Sequence, residues 1–275
     1  MSGRVLVTGG TGFVGRQVLH ALHGSGHALR VVIRRGSAAR LPVPVADADV
    51  IESDDLFAER APWWEAACTG IDTVVHLAWY AEPGRYLVSP RNLACLAGTL
   101  ALAEGAIAAG IRRFVGIGTC FEYDLTSGHL STDTPLAPLT PYAATKAAAF
   151  LALAQTLPAA GMSFVWCRLF YLHGEGEDPR RLTAAIRTHL SRGESIDLTS
   201  GTQIRDFLDV GEAGARIASM VDSDRCGPVN ICSGRGITVR ALAESIADEY
   251  GRRDLLRFGA RPDNLVDPPC VVGLP

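Results

Sequence analysis

Apolar residues recur along this chain in two alternating rhythms. Short unbroken runs occupy residues 4–7, 29–33, 48–52, 73–77, 114–118 and 163–169. Such runs read as strands buried on both faces, as in a parallel sheet. Between them lie longer amphipathic segments, at 13–22, 62–68, 93–109 and 142–157, that read as helices. Strand and helix in alternation predict βαβ units and a doubly wound parallel α/β sheet. After about residue 170 the rhythm loosens. Glycine and charge cluster at 173–181, two further helices are predicted at 180–192 and 239–250, and Pro- and Gly-rich sequence returns at 259–275. The expected division is a doubly wound domain over 1–170. Residues 171–275 mostly form a smaller substrate-binding lobe, interleaved with that domain and packed over the C-terminal edge of the sheet, where open α/β folds bind ligands.

The first strand runs directly into Thr8-Gly9-Gly10-Thr11-Gly12-Phe13-Val14-Gly15, which opens the first helix. Strand, glycine turn and helix together point to a dinucleotide site of Rossmann type. Gly9 suits a tight turn, Gly12 leaves room for a pyrophosphate, and Gly15 lets helix and strand pack closely. The helix N-terminus offers N–H groups and a positive dipole end to phosphate.

Bulk properties narrow the classes. A chain of 275 residues, 48% hydrophobic, can bury a large core, and its net charge of −3 with no long basic block gives no sign of a nucleic-acid partner. The seven cysteines form no CxxC pair and show no zinc spacing, and the seven histidines are scattered, so no metal is expected. The most apolar stretch, 99–110, is broken by Glu104 and Gly105 and is too short to span a bilayer. The strand at the N-terminus leaves no room for a secretory signal, and a cytoplasmic protein is expected.

A second motif is Tyr142-Ala143-Ala144-Thr145-Lys146 after Pro141. Tyrosine and lysine four apart share a helix face. An ammonium beside a phenol is expected to lower its pKa and make it a usable proton donor or acceptor. A surface pair on an amphipathic helix would look the same. Here, however, the fifth strand ends in Thr119, placing a hydroxyl where cofactor and substrate should meet. With TGGTGFVG at 8–15, HLA at 76–78, TCFEY at 119–123, PYAATK at 141–146 and RDF at 205–207, the chain resembles the extended short-chain dehydrogenase/reductase (NAD-dependent epimerase/dehydratase) family.

The resemblance implies catalytic roles for Thr119, Tyr142 and Lys146. Thr119 would hydrogen-bond the substrate oxygen, Tyr142 would give or take its proton, and Lys146 would hold the nicotinamide ribose. It places Gly9, Thr11, Gly12, Phe13, Val14, Gly15, Asp55, Leu56, Leu77 and Ala78 at the cofactor. Asn92 resembles a supporting asparagine of the family and could equally be a helix cap. Arg34 and Arg35 stand where an acidic residue would favour NAD. Two guanidinium groups suit a 2′-phosphate, so NADP is favoured, with NAD possible. Arg205 would meet a diphosphate, and Arg180 and Arg181 either join it or start a helix. Trp79 and Tyr80 would line the sugar pocket or pack the lobe. Tyr171 replaces an asparagine that many relatives place near the diphosphate. Relatives usually continue beyond Pro275 with another helical segment, so the lobe is expected to be reduced or the chain shortened.

These features suggest NADPH-dependent reduction of the C4 ketone of a nucleoside-diphosphate 4-keto-6-deoxyhexose. The alternatives are an NAD-dependent epimerase and a non-catalytic NADP-binding protein. A 4,6-dehydratase is disfavoured because Cys120 and Phe121 stand where an acidic pair would be needed. A homodimer through the helices at 93–109 and 142–157 is expected from the resemblance.

Overall fold

The computed structural model describes residues 3–264 and 267–275. In chain order the elements are β1 (Arg4–Thr8), α1 (Phe13–Gly24), β2 (Ala28–Arg34), β3 (Val50–Ser53), α2 (Ala61–Cys68), β4 (Thr73–His76), α3 (Arg91–Ala108), β5 (Arg113–Thr119), β6 (His129–Leu130), α4 (Pro141–Ala159) and β7 (Ser163–Leu169). They continue as β8 (Tyr171–His173), α5 (Leu182–Ser191), β9 (Ile196–Leu198), β10 (Ile204–Asp209), α6 (Val210–Ser219), β11 (Gly227–Ile231), β12 (Gly236–Thr238), α7 (Val239–Tyr250), β13 (Leu256–Phe258) and β14 (Cys270–Gly273).

A seven-stranded sheet in the order β11-β7-β5-β4-β1-β2-β3 carries helices on both faces. Every pair in it is parallel. Strand residues alternate between two cores, as the period of a strand requires. Val5 and Val7 join Val18, Leu22, Val31 and Ile217 on the α1/α6 face, while Leu6 joins Trp64, Leu102, Leu153 and Phe164 on the α2/α3/α4 face. Both faces are dry, which explains strands that read as continuous apolar runs.

The glycine turn behaves as its spacing predicts. Gly9 has φ of +73°, a backbone region that strains other residues. A Cβ at Gly15 would collide with the Gly9 carbonyl oxygen, so this crossing of helix and turn admits glycine only.

Two expectations need correcting. The third strand is shorter than 48–52, because residues 47–49 form a 3-10 turn and pairing begins at Val50. The segment β10–α6–β11 was not anticipated. Its strand β11 extends the main sheet beside β7, and α6 packs on the α1 face through Val210, Ala213 and Ile217. Its strands are interrupted by polar residues, Arg205, Asp206 and Asp209 in β10 and Asn230 in β11, so hydrophobic rhythm alone does not separate it from loop.

The remaining C-terminal elements build the smaller lobe. Strand β10 pairs antiparallel with β12 and parallel with β14 and β8, and β14 continues to β6. Helices α5 and α7 enclose Ile186, Leu190, Leu242 and Ile246 over the β9/β13 pair. No helix among the described residues is long and apolar enough to cross a membrane.

Candidate active site

The predicted residues converge at the C-terminal ends of β1, β4 and β5. Helix α4 is started there by Thr140, whose side chain accepts from Ala143 N–H at 3.2 Å, with Pro141 in the first turn. Tyr142 and Lys146 follow one turn apart and face the end of β5.

Lys146 is almost fully buried at 3% exposure. Its Nζ donates to the Ile117 carbonyl at 2.6 Å and lies 3.9 Å from the centre of the Trp79 ring. Burial pulls its pKa down to about 7, against the opposing pull of Glu122 and Cys95. The composition holds a further signal that motif reading missed. Lys146 is the single lysine in the sequence, and the other 25 of the 26 lysine and arginine residues are arginine. Arginine cannot titrate near neutrality or supply a compact ammonium, so lysine brings to this position what none of the arginines could.

Tyr142 corrects an expectation. Its phenol is not lowered by Lys146. Burial pushes it well above the ordinary value, Tyr86 and Glu122 push the same way, and a hydrogen bond with the Thr119 side chain opposes them. The ammonium is turned to Ile117 and Trp79, so desolvation dominates the phenol. Tyr142 therefore keeps its proton across the physiological range.

Thr119 ends β5, 6% exposed. Beneath it lies a polar network that the sequence reading did not identify. Glu122, with no exposed surface, accepts from Thr119 N–H at 2.8 Å, from Trp166 Nε1 at 3.0 and 3.1 Å, and from Arg168 Nε at 2.7 Å. The Arg168 guanidinium sits between the Tyr123 and Phe150 rings at 4.4 and 4.5 Å. Gly118 leaves the space that Trp166 and Glu122 fill. The signal was present as a glutamate in TCFEY and an arginine in a buried strand, two charges in apolar text that needed each other.

The HLA stretch ties β4 to β1. His76, held neutral by burial with its pKa near 3, hydrogen-bonds Thr8 Oγ1 at 2.7 Å and Thr99 Oγ1 at 2.9 Å. Thr99 donates its own proton to the Cys95 carbonyl, so the network assigns the imidazole proton to Nε2. Thr8 Oγ1 in turn accepts from Ala78 N–H at 3.2 Å, fixing Leu77 and Ala78 beside the glycine turn. His76 is thus structural.

Trp79 reaches the centre and Tyr80 does not. The Trp79 ring stands edge-on to Tyr142 at 6.5 Å, whereas the Tyr80 hydroxyl donates to Glu82 at 2.9 Å and its ring carries Arg91 at 5.2 Å. Tyr86, missed in the sequence, is edge-on to Tyr142 at 4.8 Å. Asn92 is not a cap. Its amide bonds Trp79 and the 86–89 turn.

Toward the smaller lobe a cavity of about 280 Å³ is lined by Tyr171, Arg181, Arg205, Phe207, Val239 and Asp267. Arg205 Nη2 donates to Asp267 at 2.6 Å, and its guanidinium lies 5.3 Å from the Tyr171 ring. Arg181 leans over Phe13 at 5.9 Å, linking this cavity to the glycine turn. Arg180 instead pairs with Asp178 at 2.8 Å. Asp206 is structural, accepting from Ser233, Gly234 and Gly273 N–H groups. A second cavity, about 360 Å³ between Gly3, Asp72, Arg112 and Asp222, lies at the opposite end of the sheet and holds none of the predicted residues.

At the other side of the glycine turn, Arg34 and Arg35 are exposed at the end of β2. Arg35 pairs with Asp54 at 2.6 Å. Arg40, not singled out in the sequence, reaches the Thr11 carbonyl. Asp55 accepts from Phe57 N–H at 3.1 Å, which turns the chain at the end of β3, and Leu56 packs on the core. Among the described residues no cluster of His, Cys, Asp and Glu could hold a metal ion.

Comparison with known proteins places the chain in a family. The NAD dependent epimerase/dehydratase family profile matches residues 5–232. The chain is 24% identical over 277 residues to a dTDP-6-deoxy-L-talose 4-dehydrogenase (NAD(+)) of Aggregatibacter actinomycetemcomitans, covering 98% of each chain. It is 29% identical to a UDP-glucose 4-epimerase of Azospirillum brasilense, covering 98% of this chain and 84% of that one. The structure of the dTDP-glucose 4,6-dehydratase of Streptomyces venezuelae, with NAD and TYD bound, aligns with a TM-score of 0.83 at 25% identity, covering 98% of this chain and 88% of that one.

Proposed function

We propose a reaction for this chain, which belongs to the NAD dependent epimerase/dehydratase family: NADPH-dependent reduction of the C4 ketone of a nucleoside-diphosphate 4-keto-6-deoxyhexose. Members of the family are NAD-dependent enzymes that modify nucleotide sugars. The observation that carries the finer reading is the pair of exposed arginines, Arg34 and Arg35, at the end of β2, which suit the 2′-phosphate of NADPH, the cofactor of a net reduction. Tyr142 faces the end of β5 beside Thr119, where a phenol suits proton donation to a forming alkoxide.

The residues fit the cofactor. Gly12 stands at the N-cap of α1 without bringing a side chain to the first-turn N–H groups, so these remain for a pyrophosphate. Gly9, Thr11, Phe13, Val14 and Gly15 would form that cradle, Asp55 and Leu56 would flank the adenine, and Leu77, Ala78 and Lys146 would meet the nicotinamide ribose. Arg34 and Arg35, with Arg40 at the glycine turn, support a 2′-phosphate and hence NADP. The bound nicotinamide supplies the hydride. Tyr142 Oη passes its proton to the sugar O4 and Thr119 Oγ1 donates to the same oxygen. Two donors fixed in a partly dry site stabilise developing charge better than water does. Arg205, Tyr171 and Arg181 line the cavity proposed for the diphosphate, and Trp79 faces the sugar. Cys120 and Phe121 bring no carboxylate to the sugar, which argues against dehydration.

A 4-epimerase would use the same centre, with Tyr142 taking and returning one proton, and the Azospirillum relative bears that name. The test mixes purified protein with NADPH or NADH and a panel of nucleoside-diphosphate 4-keto-6-deoxysugars. Stoichiometric oxidation of NADPH with one sugar is expected, and Tyr142→Phe should lower it by about 10²–10⁴-fold while keeping cofactor binding. A changed sugar without net oxidation would replace the reductase by an epimerase. No change with any sugar would leave a binding protein. The outward leucines Leu93 on α3 and Leu151 on α4, 67% and 57% exposed, support a homodimer through these helices, which sedimentation would detect.

A further inference from the structure

The turn that presents Thr119 is built around a buried charge. Thr119 caps a 3-10 turn over Cys120–Glu122, and the cap is reciprocal. Phe121 N–H donates to Thr119 Oγ1 at 3.3 Å, and Glu122 Oε1 accepts from Thr119 N–H at 2.8 Å. The first bond takes a lone pair of the hydroxyl and leaves its proton for an oxygen in front of it. The second fixes the backbone from which the hydroxyl projects. Glu122 is held in its turn by Trp166 Nε1, at 3.0 and 3.1 Å from its two oxygens, and by Arg168 Nε at 2.7 Å. N–H donors from three residues meet the two oxygens, the bonding of an ionised carboxylate. A charge pair in so dry a place is a poor device for stability alone. Glu122 has no exposed surface, Arg168 is 1% exposed, and Arg168 Nη2 has no hydrogen-bond partner among the described residues. What the pair does supply is an anion beside the reactive centre. The Trp166 ring, gripped by the carboxylate, has its centre 5.8 Å from Lys146 Nζ. A Cβ at Gly118 would strike both Trp166 Nε1 and Glu122 Oε1, so indole and carboxylate press on the strand between Ile117, which holds Lys146, and Thr119.

We propose that Glu122 is a positioning residue of this centre: through the Thr119 N–H it aims the hydroxyl at the reacting oxygen, and across Trp166 it sets its negative charge against the Lys146 ammonium. The inference rests on the reading that Thr119, Tyr142 and Lys146 form the reactive centre. The groups facing the carboxylate are Cys120 in the same turn, Tyr123 after it, Tyr142 on α4 and Arg168 on β7. Those facing Lys146, besides Glu122, are Cys95 on α3, neutral His76 on β4 and the Trp79 ring. Burial keeps Cys95, Cys120, Tyr123 and Tyr142 protonated, so Glu122 is the anion among these groups. Removing its charge lowers the affinity of Lys146 for a proton. Mere loosening of the site would admit water and raise that affinity. The two accounts predict opposite signs.

The chain's single lysine makes the test direct. Protein labelled with ¹⁵N,¹³C-lysine gives one side-chain signal, titrated by NMR in the substrate-free protein. The wild-type midpoint is expected near 7. In Glu122→Gln, which keeps the shape and loses the charge, it should fall by roughly one pH unit. The double variant Glu122→Gln, Arg168→Met strands no guanidinium and serves should the single variant fail to fold. It should move the midpoint in the same direction. In the reductase assay of either variant, kcat should fall about 10–100-fold with KM for the sugar little changed, because the hydroxyl is misplaced rather than lost. A folded variant whose lysine midpoint stays or rises overturns the inference, and so does one that keeps the wild-type kcat. The titration needs no substrate. A wild-type protein that oxidises NADPH with no keto-sugar therefore overturns the proposed function, and leaves the titration to decide the role of Glu122.

Discussion

Lys146→Met should make the protein more stable at neutral pH and remove a pH dependence that the wild type carries. Burial lowers the Lys146 pKa from 10.5 to about 7 in the folded protein, while the unfolded chain keeps the ordinary value. Between these values the unfolded chain binds one proton more, so stability rises with pH there. The penalty of burying this group is absent above 10.5 and grows to its full size as the pH falls to 7. At 1.36 kcal/mol per unit, the whole difference is about 5 kcal/mol, of which about 2 kcal/mol appears between pH 7 and pH 9. Buried thiols act the other way in the same range. Burial pushes Cys68 and Cys167 up to about 12 and Cys232 to about 11, so unfolding releases their protons and stability falls as pH rises. Subtracting the variant from the wild type cancels them. The assay is urea unfolding of both proteins from pH 6 to pH 10 under reducing conditions. The wild type should gain on Lys146→Met by about 2 kcal/mol from pH 7 to pH 9. Parallel curves over that interval would show that Lys146 is not held down by burial, and the account of the site's electrostatics would fail.

Other substitutions probe separate parts of the design. Glu122→Gln leaves the buried Arg168 charge uncompensated and should cost about 3–5 kcal/mol in urea unfolding, whereas breaking the exposed Arg35–Asp54 pair should leave the unfolding midpoint nearly unchanged. Replacing Arg34 and Arg35 together by alanine should raise KM for NADPH roughly tenfold or more and leave KM for NADH nearly unchanged in parallel kinetics. Equal effects on both cofactors would remove the case for a 2′-phosphate. Gly15→Ala places a Cβ against the Gly9 carbonyl, and should destabilise the fold by about 1–3 kcal/mol and weaken cofactor binding measured by calorimetry.

Much of this protein is legible in one dimension because its information is local. The glycine turn needs particular backbone angles at Gly9 and no side chain at Gly15, and both requirements are met by neighbours in sequence. Strands buried on both faces read as apolar runs, so six of the seven strands of the main sheet were found. Tyr142 and Lys146 share one helix turn, and the lysine's solitude among arginines was visible in the composition.

What tertiary structure alone decided is which groups meet across the chain, and therefore which charge prevails. The Tyr-x-x-x-Lys spacing suggested an ammonium lowering a phenol. Packing turned the ammonium toward Ile117 and Trp79, and desolvation raised the phenol instead. Glu122 and Arg168 are 46 residues apart and meet beneath Thr119. Asn92 resembled a supporting asparagine or a cap, and the cap is excluded because its amide is taken by Trp79 and the 86–89 turn. Strand β11 joins the sheet by pairing with β7, a contact that no local rhythm announces. Sequence specifies elements through short-range periodicity and steric demand. Burial and long-range polar pairing, which set proton affinities, exist only once those elements have packed.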